Sequence, residues 1–113
     1  MKEETENKSV KDTMEIILHA GDAREFIADA IDNVANYDYS KAEENMRKAE
    51  AELVIAHRLQ TAKIQQEAEG KKVPYSVLFT HAQDTLMTIN SEFKLIQHLI
   101  KVFKARDKRE GRI

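Results

Sequence analysis

Glycine and proline are so rare in this chain that its fold is limited to a few long helices. The 113 residues contain three glycines and one proline, at Gly21, Gly70, Pro74 and Gly111. These are the residue types that most often interrupt a helix or form a turn, so long stretches without them favour helix. No segment stands out by alternating apolar and polar residues as a strand does. We therefore predict an all-α fold of three helices.

Apolar residues recur every three or four positions in each predicted helix, which is the spacing of one buried helix face. Helix one is predicted from about Val10 to Asn36, helix two from Ser40 to near Gly70, and helix three from Ser76 to about Arg106. Ser40 and Glu43 have the spacing of a capping box at the start of helix two. The predicted buried faces are Ile16, Ala20, Ala23, Ile27, Ala30 and Val34; Ala42, Met46, Ala49, Leu53, Ala56, Gln60 and Ile64; and Leu78, Ala82, Leu86, Ile89, Phe93, Ile96, Ile100 and Phe103. Packed together, they form an up-down-up antiparallel bundle.

The predicted bundle occupies residues 13–105, and composition limits what it can do. Residues 1–12 and 106–113 are mostly polar or charged, which is typical of flexible ends. The net charge of −2 disfavours a dedicated nucleic-acid binder. No apolar run approaches ~18 residues, so no membrane insertion is predicted, and the absence of cysteine excludes disulfides and thiolate chemistry. The start of the chain lacks the apolar core of a secretory signal, so a cytoplasmic location is expected.

Helix three carries a second stripe, about 120° around the helix from the first, and its C-terminal half is apolar. The stripe consists of Val77, His81, Asp84, Thr88, Leu95, Leu99 and Val102. A three-helix bundle has one core, so a second apolar face needs another partner, and a symmetry copy is the natural one. We therefore predict a homo-oligomer with helix three around the common axis. Periodicity leaves dimer, trimer and tetramer open.

His81 and Asp84 lie one turn apart on this stripe, among hydroxyl and amide side chains. In a trimer with Asp84 facing the axis, each carboxylate pair would repel by about 3 kcal/mol at ~5 Å and an effective dielectric of ~20. Such a cluster would bind a cation, share protons or stay open to water. Mg²⁺ or another hard divalent cation suits oxygen ligands. A structural histidine and a solvent-facing Asp84 are the alternatives; His19 and His98 are isolated in sequence.

Four short segments, in order along the chain, match the motifs of one known family. They are Ala-Gly-Asp-Ala-Arg at 20–24, Ala-His-Arg-Leu-Gln-Thr at 56–61, Pro-Tyr-Ser-Val at 74–77 and His-Ala-Gln-Asp-Thr-Leu-Met-Thr at 81–88. The chain resembles the lactose/cellobiose-type IIA components of the bacterial phosphoenolpyruvate-dependent sugar phosphotransferase system (PTS). The resemblance implies three long antiparallel helices assembled as a homotrimer, with helix three around the axis.

The resemblance also implies a transferase role, that of a phosphohistidine carrier. His81 would accept a phosphoryl group from the phosphocarrier HPr and pass it to a cysteine of the cognate IIB component, while IIC carries the sugar across the membrane. The implied sugars are β-linked disaccharides of the lactose, cellobiose or chitobiose class. Asp84 is implied to bind the axial metal, one carboxylate per subunit. Gln83 and Thr85 are hypothesised to donate hydrogen bonds to the phosphoryl oxygens, and Thr85 replaces a histidine of the family pattern.

Two other functions stay open. A non-catalytic trimeric helical adaptor would use the polar cluster of helix three only to set the register of its subunits. A metal-dependent hydrolase built on His81 and Asp84 would need more ligands than the stripe provides. The sequence specifies neither the sugar nor the metal.

Overall fold

Three long helices make up the fold and lie side by side as an antiparallel bundle. The computed structural model describes residues 2–113, with the side chains of residues 2, 5 and 6 excepted. The helices are α1 (Lys2–Ala35), α2 (Tyr39–Ala68) and α3 (Val77–Arg109), and no strand occurs among the described residues. The bundle measures 62 × 21 × 18 Å. The predicted all-α, three-helix architecture is therefore confirmed.

The helix ends differ from the sequence prediction. α1 begins at Lys2 and not near Val10, so it runs through most of the segment 1–12 that was predicted to be a polar tail. Met1 lies outside the described residues. α3 continues to Arg109, three residues beyond its predicted end. That both chain ends are flexible stays a prediction.

The start of α2 is capped by Asp38, so the predicted Ser40–Glu43 capping box is wrong. Asp38 Oδ1 accepts a hydrogen bond from the backbone N–H of Lys41 at 3.1 Å. Tyr37, just before it, has a φ of 60°, and this left-handed residue completes the short turn after α1. Because Asp38 takes the cap position, Ser40 is already inside the helix. The start of α3 agrees with the prediction, since Ser76 Oγ accepts from Phe79 N at 3.1 Å.

One apolar core runs along the bundle and uses the predicted faces. Alanines occupy many of its positions, which lets the helix backbones approach closely. Ile64 was predicted to extend the face of α2 but is exposed. α3 begins only at Val77, so little of it covers the last turns of α2. The buried apolar residues are Ile16, Ala20, Ala23, Ile27, Ala30, Tyr39, Ala42, Met46, Ala49, Leu53, Ala56, Ala82, Leu86, Ile89, Phe93 and Ile100.

A buried polar contact closes the end of the bundle that holds the α1–α2 turn. The Tyr39 hydroxyl donates a hydrogen bond to the carboxylate of Asp107 near the end of α3. Burial, followed by this hydrogen bond, raises the pKa of Tyr39 to about 12. The Arg112 guanidinium Nε lies 3.7 Å from Asp107 Oδ1. The contact ties the first residue of α2 to the C-terminal end of α3.

Candidate functional site

His81 lies in the second turn of α3 and is exposed. The next residue, Ala82, is buried against the other helices, as is Leu86 one turn later. Successive helical residues point about 100° apart, so the packing of Ala82 and Leu86 turns His81 toward the outside. No side chain among the described residues is hydrogen-bonded to the His81 ring. The imidazole is therefore open to an approaching protein.

The first turn of α3 is held in place by Lys63 of α2. The Lys63 ammonium lies 4.8 Å from the centroid of the Phe79 ring and donates a hydrogen bond to Ser9 Oγ of α1. Desolvation by burial lowers the pKa of Lys63. Lys63 thus links α2 to α1 and to α3. Its contact in α3, Phe79, lies two residues before His81. Lys63 fixes the part of the bundle from which His81 projects.

Of the predicted site residues, Asp84 and Thr85 share the face of His81, and Gln83 does not. At about 100° per residue, Asp84 lies roughly 60° to one side of His81 and Thr85 roughly 40° to the other. Gln83 lies roughly 160° away and is half-buried. Asp84 is exposed, and Thr85 Oγ1 donates a hydrogen bond to the His81 carbonyl oxygen at 2.8 Å. Within one chain, the candidate site is therefore His81 flanked by a carboxylate and a hydroxyl.

Arg24, the last residue of the segment 20–24, links α1 to α3 at Glu92, which lies C-terminal to His81. The Arg24 guanidinium makes two hydrogen bonds to the Glu92 carboxylate, at 2.9 and 3.0 Å. Such a bidentate ion pair has a defined geometry and orients the two helices. Ala20 and Ala23 are fully buried, and so is Ala56 of the segment 56–61. Much of the motif pattern therefore serves helix packing, whereas the segment 81–88 also presents exposed chemical groups.

Comparison with known proteins identifies the family. The model of the family described as PTS system, Lactose/Cellobiose specific IIA subunit, matches residues 11–104. The chain belongs to this family. The PTS system lactose-specific EIIA component of Lactococcus lactis subsp. lactis is 39% identical over 90 residues, covering 80% of this chain and 86% of that protein. The corresponding component of Streptococcus mutans serotype c is 38% identical over 90 residues, covering 80% and 86%.

Two solved structures share the fold. The crystal structure of the PTS cellobiose specific Enzyme IIA from Bacillus anthracis superposes with a TM-score of 0.82 at 34% identity, covering 88% of this chain and 92% of that chain. PtcA from S. mutans superposes with a TM-score of 0.84 at 31% identity, covering 87% and 96%. Family membership makes the chain a PTS IIA component, a class of phosphotransfer carrier whose partners are HPr and IIB. Within residues 2–113, no helix combines the length and apolar character that crossing a bilayer requires.

Proposed function

We propose that this IIA chain carries a phosphoryl group on His81 from phospho-HPr to a cysteine of its cognate IIB component. The observation that carries the proposal is the open His81 imidazole on the exposed face of α3, within the segment 81–88. A carrier must meet a donor protein and an acceptor protein in turn. A histidine that is exposed on a rigid helix, with no side-chain partner among the described residues, meets that requirement.

The proposed transfer needs little covalent assistance from the protein. In the first step, a lone pair of a neutral His81 ring nitrogen attacks phosphorus, and the bond between phosphorus and the HPr histidine breaks. In the second step, a cysteine thiolate of IIB attacks, and the bond between phosphorus and His81 breaks. Neutral imidazole is abundant near neutral pH. Positioning and charge stabilisation account for most of the catalysis in such transfers.

Thr85 and Gln83 are proposed to contribute in different ways. Thr85 lies beside His81 and carries a hydroxyl that does not titrate near neutral pH, unlike the histidine of the family pattern. To donate to a phosphoryl oxygen, this hydroxyl must leave the His81 carbonyl, to which it now donates. Gln83 is on the opposite side of α3. Any phosphoryl group that it contacts would therefore have to be carried by another subunit or by a partner protein.

We further propose that the active form is a homotrimer with α3 around the axis. The second face of α3 leaves Val77 72%, Leu95 61% and Val102 57% exposed in the single chain. A line of large apolar side chains of this kind favours burial against another copy. The Asp84 carboxylates would then converge at the axis and fit Mg²⁺ or another divalent cation that prefers oxygen ligands. The ion would offset their mutual repulsion and connect the subunits.

The proposed substrate class and location follow from the relatives. Two of the relatives compared above are named lactose-specific, and one of the solved structures is named cellobiose specific. We therefore propose that the phosphoryl group serves uptake of a β-linked disaccharide of the lactose, cellobiose or chitobiose class through IIC. Because HPr is the proposed donor, the carrier would work in the cytoplasm.

A phosphorylation assay tests the proposal. The chain is mixed with enzyme I, HPr and labelled phosphoenolpyruvate, in parallel with His81→Ala and with His98→Ala. His98 is a matched control because it is another exposed histidine of α3. We expect acid-labile, base-stable label on the parent and on His98→Ala, and none on His81→Ala. An unlabelled parent in a mixture where HPr is labelled would contradict the proposal and favour the trimeric adaptor.

A further inference from the structure

A second polar cluster lies between α1 and α2. It consists of His19 and Asp22 of α1 and Glu52 of α2, and we call these three residues the α1–α2 cluster. One ligand atom from each of them lies within 4.8 Å of the other two. His19 Nδ1 is 2.5 Å from Glu52 Oε2, and His19 Nε2 is 3.2 Å from Glu15 Oε2. His19 and Asp22 are three residues apart on one helix, so they share a face.

The charges of this cluster do not balance. A neutral imidazole has one N–H, but both ring nitrogens of His19 face a carboxylate. Even a protonated His19 leaves Glu15, Asp22 and Glu52 with two uncompensated negative charges. Among the described residues, no lysine or arginine forms an ion pair with these three carboxylates. Because His19 and Glu52 are half-buried, solvent screens the excess charge less than it would on an open surface.

We propose that the α1–α2 cluster binds one divalent transition-metal ion of the Zn²⁺ class per chain. The ligands are His19 Nδ1 and one carboxylate oxygen each from Asp22 and Glu52. One imidazole and two carboxylates suit zinc, cobalt or nickel better than magnesium, which prefers oxygen ligands alone. Zinc bonds of about 2.0–2.2 Å place tetrahedral ligand atoms about 3.3 Å apart, so the three side chains would adjust their positions to bind one ion, and water would complete the coordination.

Glu15 has the position of a supporting residue for this site. Metal-bound histidines usually donate their other ring N–H to a carboxylate or carbonyl, which fixes the orientation of the ring. With the metal on Nδ1, the free nitrogen is Nε2, and Glu15 Oε2 already lies 3.2 Å from it. The proposed site thus has three ligands and a hydrogen-bond acceptor behind one of them. It differs from the proposed Asp84 site in ligand chemistry, in ion class and in the helices that it joins.

Zinc titration of the metal-free chain tests the proposal. Isothermal titration calorimetry on EDTA-treated, dialysed protein, carried out in excess Mg²⁺ to occupy the proposed Asp84 site, should give saturable binding of one Zn²⁺ per chain. Co²⁺, used as a spectroscopic probe, should give visible absorption bands of nitrogen and oxygen ligation. The variants His19→Gln and Glu52→Gln each remove one ligand while keeping the side chain polar and similar in size. Each should weaken zinc binding at least tenfold.

Two matched controls and a folding check make the test decisive. His98→Gln removes an exposed histidine outside the cluster, and Glu50→Gln removes an exposed carboxylate of α2 outside it; both should bind zinc as the parent does. Far-UV circular dichroism should show the parental helix content in His19→Gln and Glu52→Gln. The proposal is overturned by an absence of saturable zinc binding to the folded parent. It is equally overturned by parental affinity in either cluster variant, or by loss of binding in either control.

Discussion

The two faces of α3 show how one helix serves both packing and chemistry. Its inner face places Leu86, Ile89 and Phe93 in the core, whereas its second face leaves His81 and Leu95 exposed. Both stripes follow the same helical period, so periodicity alone does not distinguish them. The difference is in the polar residues, which are absent from the inner stripe and concentrated at the N-terminal half of the second. A face that is apolar at one end and polar at the other suggests an interface beside a site.

The two aspartates of α3 repeat this contrast. Asp107 is buried and accepts a hydrogen bond from Tyr39, whereas Asp84 is exposed. A buried carboxylate with a donor belongs to the structure of a single chain. An exposed carboxylate on an otherwise unpartnered face is available to an ion or to another copy. The predictions below test this division between the two faces.

The largest expected effect on stability comes from the inner face. Ile89 is 1% exposed, so Ile89→Ala should lower the free energy of unfolding by about 2–5 kcal/mol, as core truncations do. Denaturant unfolding measures this loss. Leu95→Ala is the matched change on the second face. In a dissociated chain it should lower the free energy of unfolding much less, since Leu95 is already exposed. Equal losses in the two variants at high dilution would contradict the contrast between the two faces.

Removing the Tyr39 hydroxyl should have the next largest effect. Tyr39→Phe leaves the buried Asp107 carboxylate without this donor and should cost about 1–3 kcal/mol. Because the folded-state pKa is raised, the contribution is complete below the ordinary tyrosine pKa of about 10 and is lost as pH rises toward 12. Tyr75→Phe, at a residue that is 83% exposed, is the control and should leave stability unchanged.

Two measurements check the Tyr39 prediction. Denaturant unfolding between pH 7 and 9 should give the same difference between parent and Tyr39→Phe at every pH. An ultraviolet difference titration of parent against variant isolates the Tyr39 phenol and should have its midpoint near 12. A midpoint close to 10, together with no loss of stability in the variant, would show that the buried contact is not formed in solution.

The smallest expected effect concerns Asp84. Asp84→Leu removes the carboxylate repulsion and the proposed metal ligand together, so the proposed trimer should persist in the variant, with or without divalent ions. Sedimentation velocity across a dilution series measures this. A parent that is trimeric beside a variant that dissociates would mean that the ion, and not the apolar part of the second face, holds the subunits together.

Much of the fold could be predicted because each helix repeats its apolar face over many turns. The start of α2 could not be predicted from the sequence, because Asp38 and Ser40 are both good capping residues. Only the turn at Tyr37 decides between them. His81 was found through the segment 81–88, and its exposure follows from the second stripe. The α1–α2 cluster was missed because His19 and Glu52 are 33 residues apart, and their contact depends on the register of two helices.

Mapping the phosphorylated histidine tests the central claim most directly. Trypsin cleaves after lysine and arginine, so it separates the four histidines into peptides 12–24, 49–58, 73–94 and 95–101. The chain is phosphorylated through HPr, digested at alkaline pH to preserve phosphohistidine, and examined by mass spectrometry. We predict the phosphoryl group on peptide 73–94, which contains His81 and no other histidine. A phosphoryl group on any of the other three peptides instead would contradict the account.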